Sequence, residues 1–470
     1  MQKELFTEFD TFTQKGLNAI YPLLDTLIPM KASHKKELPY ACKDLSEYLT
    51  VDREFLSRPY WTSPRLLSAY FHFFMMWNLI RLCKLFPSLN FGTIPKEATF
   101  VDLGSGPLTL PLALWLSRKD LRDKKITFIC CDVAPQPLQI GKNLFEELRN
   151  TLDPQSQWQI KILRSPNHKV FRQLHEKPFL ITMGNVLNEG DEKKKISTHE
   201  QISQIFSQAS QALQDNGKIF VVEPGTRQGA RMIQILRSLV TEQNLDEDFE
   251  NDFEDENTYS QNFTDDFLLE EAPFKILSPC PQEINCPLAN KNCNKQNAWC
   301  HFNAKATYIP KNLKLLSQKA GLDKDSISLS YLFLAKSQEA EKILKNNTSF
   351  QKARIISDAF VVPRFKGRAR YACHEKGLLL ILDSAKYTTG MLCDVEFPQK
   401  IERDIKSKAL FAWIKTNKQQ TIRDFLETEK QFSPDKLENK INKKKVEKES
   451  KKNFPSKRYT EKEYFKPKKK

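Results

Sequence analysis

The chain has 470 residues, 40% of them hydrophobic and 11% aromatic, which is enough for a sizeable core over two or three domains and excludes wholesale disorder. Lys and Arg number 73 against 58 acidic residues, a net charge of +15, of which residues 435–470 carry +9. The remainder is only mildly basic, so the tail is what points to a polyanionic partner such as nucleic acid.

Residues 1–95 are expected to be a helical region. Ser63-Pro64 before Arg65-Leu66-Leu67 is an N-cap with proline at the first helical position. The most apolar run, Phe71 to Phe86, is broken by His72, Asn78, Arg81 and Lys84 and predicts a buried helix rather than a membrane span. Glu4, Glu8 and Asp10 fit neither a secretory signal nor an acid-poor transit peptide, so a cytoplasmic protein is expected. Ten cysteines without a signal imply a reducing compartment, where clustered thiols point to metal rather than to disulfides.

From residue 96 to 340 the pattern is that of an α/β domain. Short apolar runs at 99–103, 126–131, 159–163, 179–183 and 218–222 alternate with amphipathic stretches such as 138–149 and 199–213. Several runs are apolar throughout, as parallel strands covered on both faces are, and the alternation predicts a doubly wound sheet. Within this domain lie an acidic insertion, 245–271, and a cysteine-rich loop, 278–303. Residues 327–336 alternate cleanly and predict a strand. Residues 350–400 read as a small β-subdomain, and 401–470 as a basic, largely disordered tail.

The sharpest chemical signal is Phe100-Val101-Asp102-Leu103-Gly104-Ser105-Gly106-Pro107, a strand running into a glycine turn. Glycines let the backbone approach a ligand, and the next helix offers free N–H groups. The third glycine of a dinucleotide fingerprint is missing, and an acid directly before Gly-x-Gly favours S-adenosylmethionine over NAD. Asp132 then ends the second strand, where an acid binds ribose hydroxyls. Strand four ends in Met183-Gly184-Asn185-Val186-Leu187-Asn188-Glu189, which lacks the Asn/Asp-Pro-Pro-aromatic set of enzymes that methylate exocyclic amines. It also lacks the cysteine nucleophile of enzymes acting on cytosine C5. Asn185 and Glu189 are candidates for the pocket mouth, with an asparagine capping the next helix as the alternative, and no catalytic residue is identified.

Cys280, Cys286, Cys293 and Cys300 are six, seven and seven residues apart, with proline after the first two. Four thiolates suit zinc or an iron–sulfur cluster, and the absence of closely spaced pairs shifts weight towards the cluster. Cys373 follows later, in Arg370-Tyr371-Ala372-Cys373-His374. Cys42, Cys83, Cys130, Cys131 and Cys393 sit in apolar stretches and read as core.

Taken in order, these motifs resemble a known family over residues 55–385. They are Ser63–Tyr70, Asp102–Pro107, Glu223-Pro224-Gly225-Thr226, Cys280-Pro281, Cys286-Pro287, Trp299-Cys300-His301-Phe302, Ser330-Tyr331-Leu332 and the basic stretch ending in Cys373. The set is similar to the small-ribosomal-subunit-associated methyltransferase-like family. The resemblance implies an α/β, Rossmann-type S-adenosylmethionine methyltransferase fold with a helical N-terminal region, a Cys-bound cluster insertion and a small β C-terminal extension. It implies a cofactor site at Asp102, Gly104, Ser105, Gly106, Pro107, Asp132 and Asn185. It also implies a 4Fe–4S cluster on Cys280, Cys286, Cys300 and Cys373, with zinc as the alternative metal, whereas local spacing alone selects Cys293 as the fourth ligand. The expected function is assembly of the small ribosomal subunit through rRNA binding by a monomer with no membrane role. Arg354, Arg364, Lys366, Arg368 and Arg370 are expected to face phosphates. An active rRNA methyltransferase is the alternative, and a small-molecule methyltransferase is disfavoured by the basic tail.

Overall fold

A computed structural model describes residues 4–50, 60–187, 196–241, 274–283, 286–289, 299–344, 352–362, 367–382, 384, 386–399 and 402–415. The acidic insertion, Asn188, Glu189, Cys293, Arg364 and Lys366 lie outside them, as does a separate unit, 416–470.

The chain begins in helices. Helix α1 (Thr11–Leu27) starts where the Asp10 carboxylate accepts from the Thr13 N–H at 2.7 Å, and α2 (Ala32–Thr50) follows. Helix α3 (Pro64–Ala69) is capped by Ser63 with Pro64 at its start. It runs through a π-helical turn, Tyr70–Met75, into α4 (Met76–Leu85). Residues 64–88 are long and apolar enough to cross a membrane, but 78% of that window is buried inside the protein. The helix packs along the α/β domain and brings Arg81 and Lys84 into the interior.

The central sheet is built from β1 (Glu97–Leu103), β2 (Lys125–Asp132), β3 (Gln159–Arg164), β4 (Leu180–Gly184) and β5 (Lys218–Pro224), all parallel. Between them run α5 (Thr109–Ser117), α6 (Lys119–Arg122), α7 (Pro135–Leu152), α8 (Asn167–Val170) and α9 (Thr198–Ala212), and α10 (Arg227–Thr241) follows β5. Strands β6 (Phe274–Ser278) and β7 (Phe302–Lys305) pair antiparallel with β8 (Ser326–Lys336), which itself lies antiparallel to β5. Helices α11 (Lys311–Ala320) and α12 (Ser337–Leu344) flank β8 in sequence. The sheet order is β3-β2-β1-β4-β5-β8-β6. This is the doubly wound sheet that the alternating pattern predicts, in the Rossmann-like S-adenosylmethionine methyltransferase arrangement that the resemblance implies.

Both faces of the sheet are covered, which explains the uninterrupted apolar strands. On one face Phe100, Phe128, Trp158 and Phe179 pack as an aromatic cluster with Phe145 of α7. On the other, Val101, Leu103, Ile181, Met183, Ile219 and Val221 form a core with residues of α9 and α10. The five cysteines read as core are buried.

A second sheet holds β9 (Lys352–Ile355), β10 (Phe360–Val361), β11 (Arg368–His374), β12 (Gly377–Ile381), β13 (Leu392–Glu396) and β14 (Leu410–Ile414). Its pairings close a ring, β9-β11-β12-β14-β13-β9, in which only β12 and β14 run parallel. That is the connectivity of an OB-type barrel. The β region therefore extends past residue 400. The last strand comes from the segment expected to be tail, where Leu410, Ala412 and Ile414 turn inwards at period two.

Candidate functional site

The strand order reverses between β1 and β4, and in open parallel sheets ligands bind beyond the carboxyl ends of the strands at that point. A cavity of about 660 Å³ opens there. It brings together all seven residues singled out from the sequence: Asp102, Gly104, Ser105, Gly106, Pro107, Asp132 and Asn185.

The glycine turn is held by its own backbone chemistry. Gly104 has φ +63°, and a Cβ there would stand 2.5 Å from Val186 Cγ2. The Ser105 hydroxyl donates to the Asp102 carbonyl at 2.9 Å and accepts from the Cys131 N–H at 3.0 Å, which ties β1 to β2. The Gly106 N–H donates to one oxygen of Asp132 and the Ala134 N–H to the other, each at 2.9 Å. Asp132 thus fixes the turn while keeping lone pairs for a ligand hydroxyl.

Asp102 is buried, and the strand register sets it beside Thr182, whose hydroxyl donates to it at 2.6 Å. Burial pushes its carboxyl up to about 7, against the pull of the Thr182 and Ser105 hydrogen bonds. Asn185 sits in the left-handed region, φ +59°. Its N–H donates to the Val222 carbonyl at 2.8 Å, and its side-chain oxygen accepts from an Arg81 N–H at 3.0 Å. A guanidinium only donates, so the amide oxygen must be the atom that faces Arg81.

Arg81 was read in the sequence only as an interruption of an apolar helix, yet it lines this cavity, as do Tyr60, Trp61 and Tyr70. The three rings form one cluster, with Trp61 4.5 Å from both tyrosines. Trp61 also touches the turn, 3.5 Å from where a Gly106 Cβ would be. A charge placed mid-way in an apolar helix was the one signal that could have marked Arg81.

The four cysteines implied by the resemblance share a second neighbourhood. Cys280 follows β6, Cys300 precedes β7, and Cys373 lies on β11 opposite Arg354. Burial and then the Cys280 and Cys286 thiols push the Cys300 thiol well up, and Cys373 is raised by burial and by the other three. Burial opposes the charge of Arg237 on α10, but nearby Cys280, Cys286 and Cys373 raise it on balance. The donor set, a buried Cys373 and half-buried Cys280, Cys286 and Cys300 with guanidinium groups nearby, is of the chemical type that an anionic iron–sulfur cluster takes. Among the described residues, however, no three His, Cys, Asp or Glu side chains form a group placed to hold a metal ion.

The basic stretch differs from expectation. Arg354 donates to the carbonyls of Pro279 at 2.9 Å and Gly390 at 2.7 Å, and Arg370 donates to those of Ser384 and Ser357. Both guanidiniums are spent on backbone carbonyls, of the barrel's loops and, for Arg354, of the segment that follows β6. Arg368 alone among the described members of the stretch is exposed.

Residues 262–369 match the family described as mitochondrial small ribosomal subunit Rsm22. No curated protein matches the chain. Among solved structures it is similar to TrmN from Thermus thermophilus, at 16% identity and a TM-score of 0.21 over 27% of this chain and 33% of that one. It is likewise similar to an rRNA methylase from Streptococcus thermophilus, at 14% identity and a TM-score of 0.21 over 33% and 72%. A third is the rRNA methyltransferase AviRa from Streptomyces viridochromogenes, at 16% identity and a TM-score of 0.24 over 30% and 73%. The chain spans about a third of the length of the first of these, and the fold rests on its own strand order. The family match, with that strand order, bears out the resemblance read from the sequence, to a ribosome-associated, methyltransferase-like family.

Proposed function

We propose that the protein is an assembly or translation factor of the small ribosomal subunit that binds rRNA and holds S-adenosylmethionine in the cavity above β1, β2 and β4. What supports it most is the convergence of a glycine turn and two acids at the switch point of a methyltransferase-type sheet, in a chain whose residues 262–369 match a small-subunit family. When bound, the cofactor supplies an electrophilic methyl group. The protein's part is to seat it: Gly104 and Gly106 open the turn, Asp132 meets the ribose, and Asp102 stands by the methionine end. The segment after β4 carries Asn185-Val186-Leu187 in place of the Asn/Asp-Pro-Pro-aromatic set of enzymes that methylate exocyclic amines, and the reading proposed is binding rather than turnover. The cytoplasm is the proposed compartment.

A 4Fe–4S cluster on Cys280, Cys286, Cys300 and Cys373 is part of the same proposal, and rests on the shared electrostatic neighbourhood of those thiols. Its structural role is to pin the cysteine segment to the barrel through β11. Anaerobically purified protein should then carry about four irons per chain. Cys373→Ser should lose them and Cys293→Ser keep them. Stoichiometric zinc, or iron held equally without Cys373, would refute the ligand set.

The test of the pocket is titration calorimetry with S-adenosylmethionine on the parent and on Gly104→Arg. Binding in the parent and none in the variant is expected. No binding in the parent would sink the reading. Methyl transfer to rRNA crosslinked in cells would make the protein an enzyme.

A further inference from the structure

The cavity has an electrostatic asymmetry that neither the glycine turn nor the acids explain. Arg81 is the sole cationic side chain among the described residues that line it. It is 7% exposed, and it reaches the cavity from α4, outside the sheet, in the helical region. Its hydrogen-bond partners are both neutral: the Ser328 carbonyl at 3.1 Å and the Asn185 amide oxygen at 3.0 Å. Its Nε has no partner at all. Burial lowers it to about 10, with Tyr70 and Glu223 pulling the other way, so it remains a cation at neutral pH. Glu223 offsets part of the cost of taking this guanidinium out of water, and an anion bound in the cavity would offset more. Also buried at the cavity wall is an acid, Asp102, whose ionised form a bound ammonium would favour.

One buried cation and one buried acid on the wall of a single cavity make a receptor for a zwitterion. The nucleoside part of S-adenosylmethionine carries no charge to match them, whereas its amino-acid end carries an α-carboxylate and an α-ammonium. We infer that Arg81 receives the α-carboxylate of the cofactor's methionine end, with Asn185 oriented beside it and Asp102 on the α-ammonium side. This inference rests on the S-adenosylmethionine reading and makes the helical region part of the binding site. Arg81 then selects the intact amino acid: a nucleoside thioether without it, or a cofactor without its carboxylate, is discriminated against. A guanidinium suits this task because its planar fork matches a carboxylate.

The experiment is titration calorimetry with three ligands: S-adenosylmethionine, decarboxylated S-adenosylmethionine and 5′-methylthioadenosine. The decarboxylated cofactor keeps the ammonium and lacks only the group that Arg81 would hold. In the parent it should bind roughly 10–100-fold more weakly than S-adenosylmethionine, the worth of a charged hydrogen bond. In Arg81→Gln that difference should collapse, while affinity for 5′-methylthioadenosine stays within about twofold and serves as the check on folding. Equal affinity of the parent for the intact and decarboxylated cofactors overturns the inference and leaves the pocket standing. A variant that loses all three ligands alike also overturns it, because Arg81 then acts only on the fold. A parent that binds none of the three overturns the pocket itself.

Discussion

At Asp102 the environment overrides the ordinary chemistry of a carboxyl group. Its carboxyl is pushed up to about 7 by burial, whereas in the unfolded chain it titrates near its ordinary value of about 4. Between those limits the folded state holds a proton that the unfolded state has lost. Stability from this group is therefore greatest below about pH 4, falls as pH rises towards 7, and is level beyond it. Relative to Asp102→Asn, the parent should lose on the order of 2 kcal/mol between pH 5 and pH 8 in urea denaturation. Parallel profiles would mean that the carboxyl is not desolvated. At the turn both glycines are left-handed, Gly104 at φ +63° and Gly106 at φ +48°, but an alanine at Gly104 also runs against Val186, whereas one at Gly106 meets only an ordinary contact with Trp61. We expect Gly104→Ala to cost about 1–3 kcal/mol and more than Gly106→Ala, read as the larger drop in melting temperature. The glycines and the two acids were legible because turn chemistry is local. Arg81 was not, since its partners lie 104 and 247 residues away in sequence.

Among the elements, the barrel shows how the same residue type serves opposite ends. The outward positions of β11 and β12, among them Ala369, Cys373, Leu378 and Leu380, are buried, and Cys373 lies near the cysteines of the β6–β7 segment. This face of an OB-type barrel commonly meets oligonucleotides, but here it is covered. Arg354 holds two carbonyls from different segments, so Arg354→Ala should destabilise the protein by about 2–4 kcal/mol in urea denaturation. Arg368→Ala should change stability by less than about 0.5 kcal/mol and instead lower the slope of RNA affinity against salt by about one phosphate contact. If both variants weakened RNA binding equally at unchanged stability, Arg354 would be a phosphate ligand after all. Five parallel strands and β8 were legible from their periodicity. Strand β14 was missed because its five residues are set among Lys406, Lys408 and Lys415, whose charge masked a period-two pattern. Arg354 and Arg370 were misread because composition records charge and not which carbonyls a guanidinium will find.

For the molecule as a whole, the central claim is association with the small ribosomal subunit, independent of methyl transfer. Residues 435–470 hold +9 of the net +15, and charge of that kind adds affinity and steering without reading shape. The direct measurement is co-sedimentation with immature small-subunit particles at several salt concentrations, with and without S-adenosylmethionine, for the parent and for a chain lacking residues 435–470. We expect binding in both donor conditions, weakening steeply with salt, and a shallower salt dependence with retained preference for small-subunit particles in the shortened chain. Failure of the full chain to sediment with small-subunit particles at any salt concentration would contradict the claim.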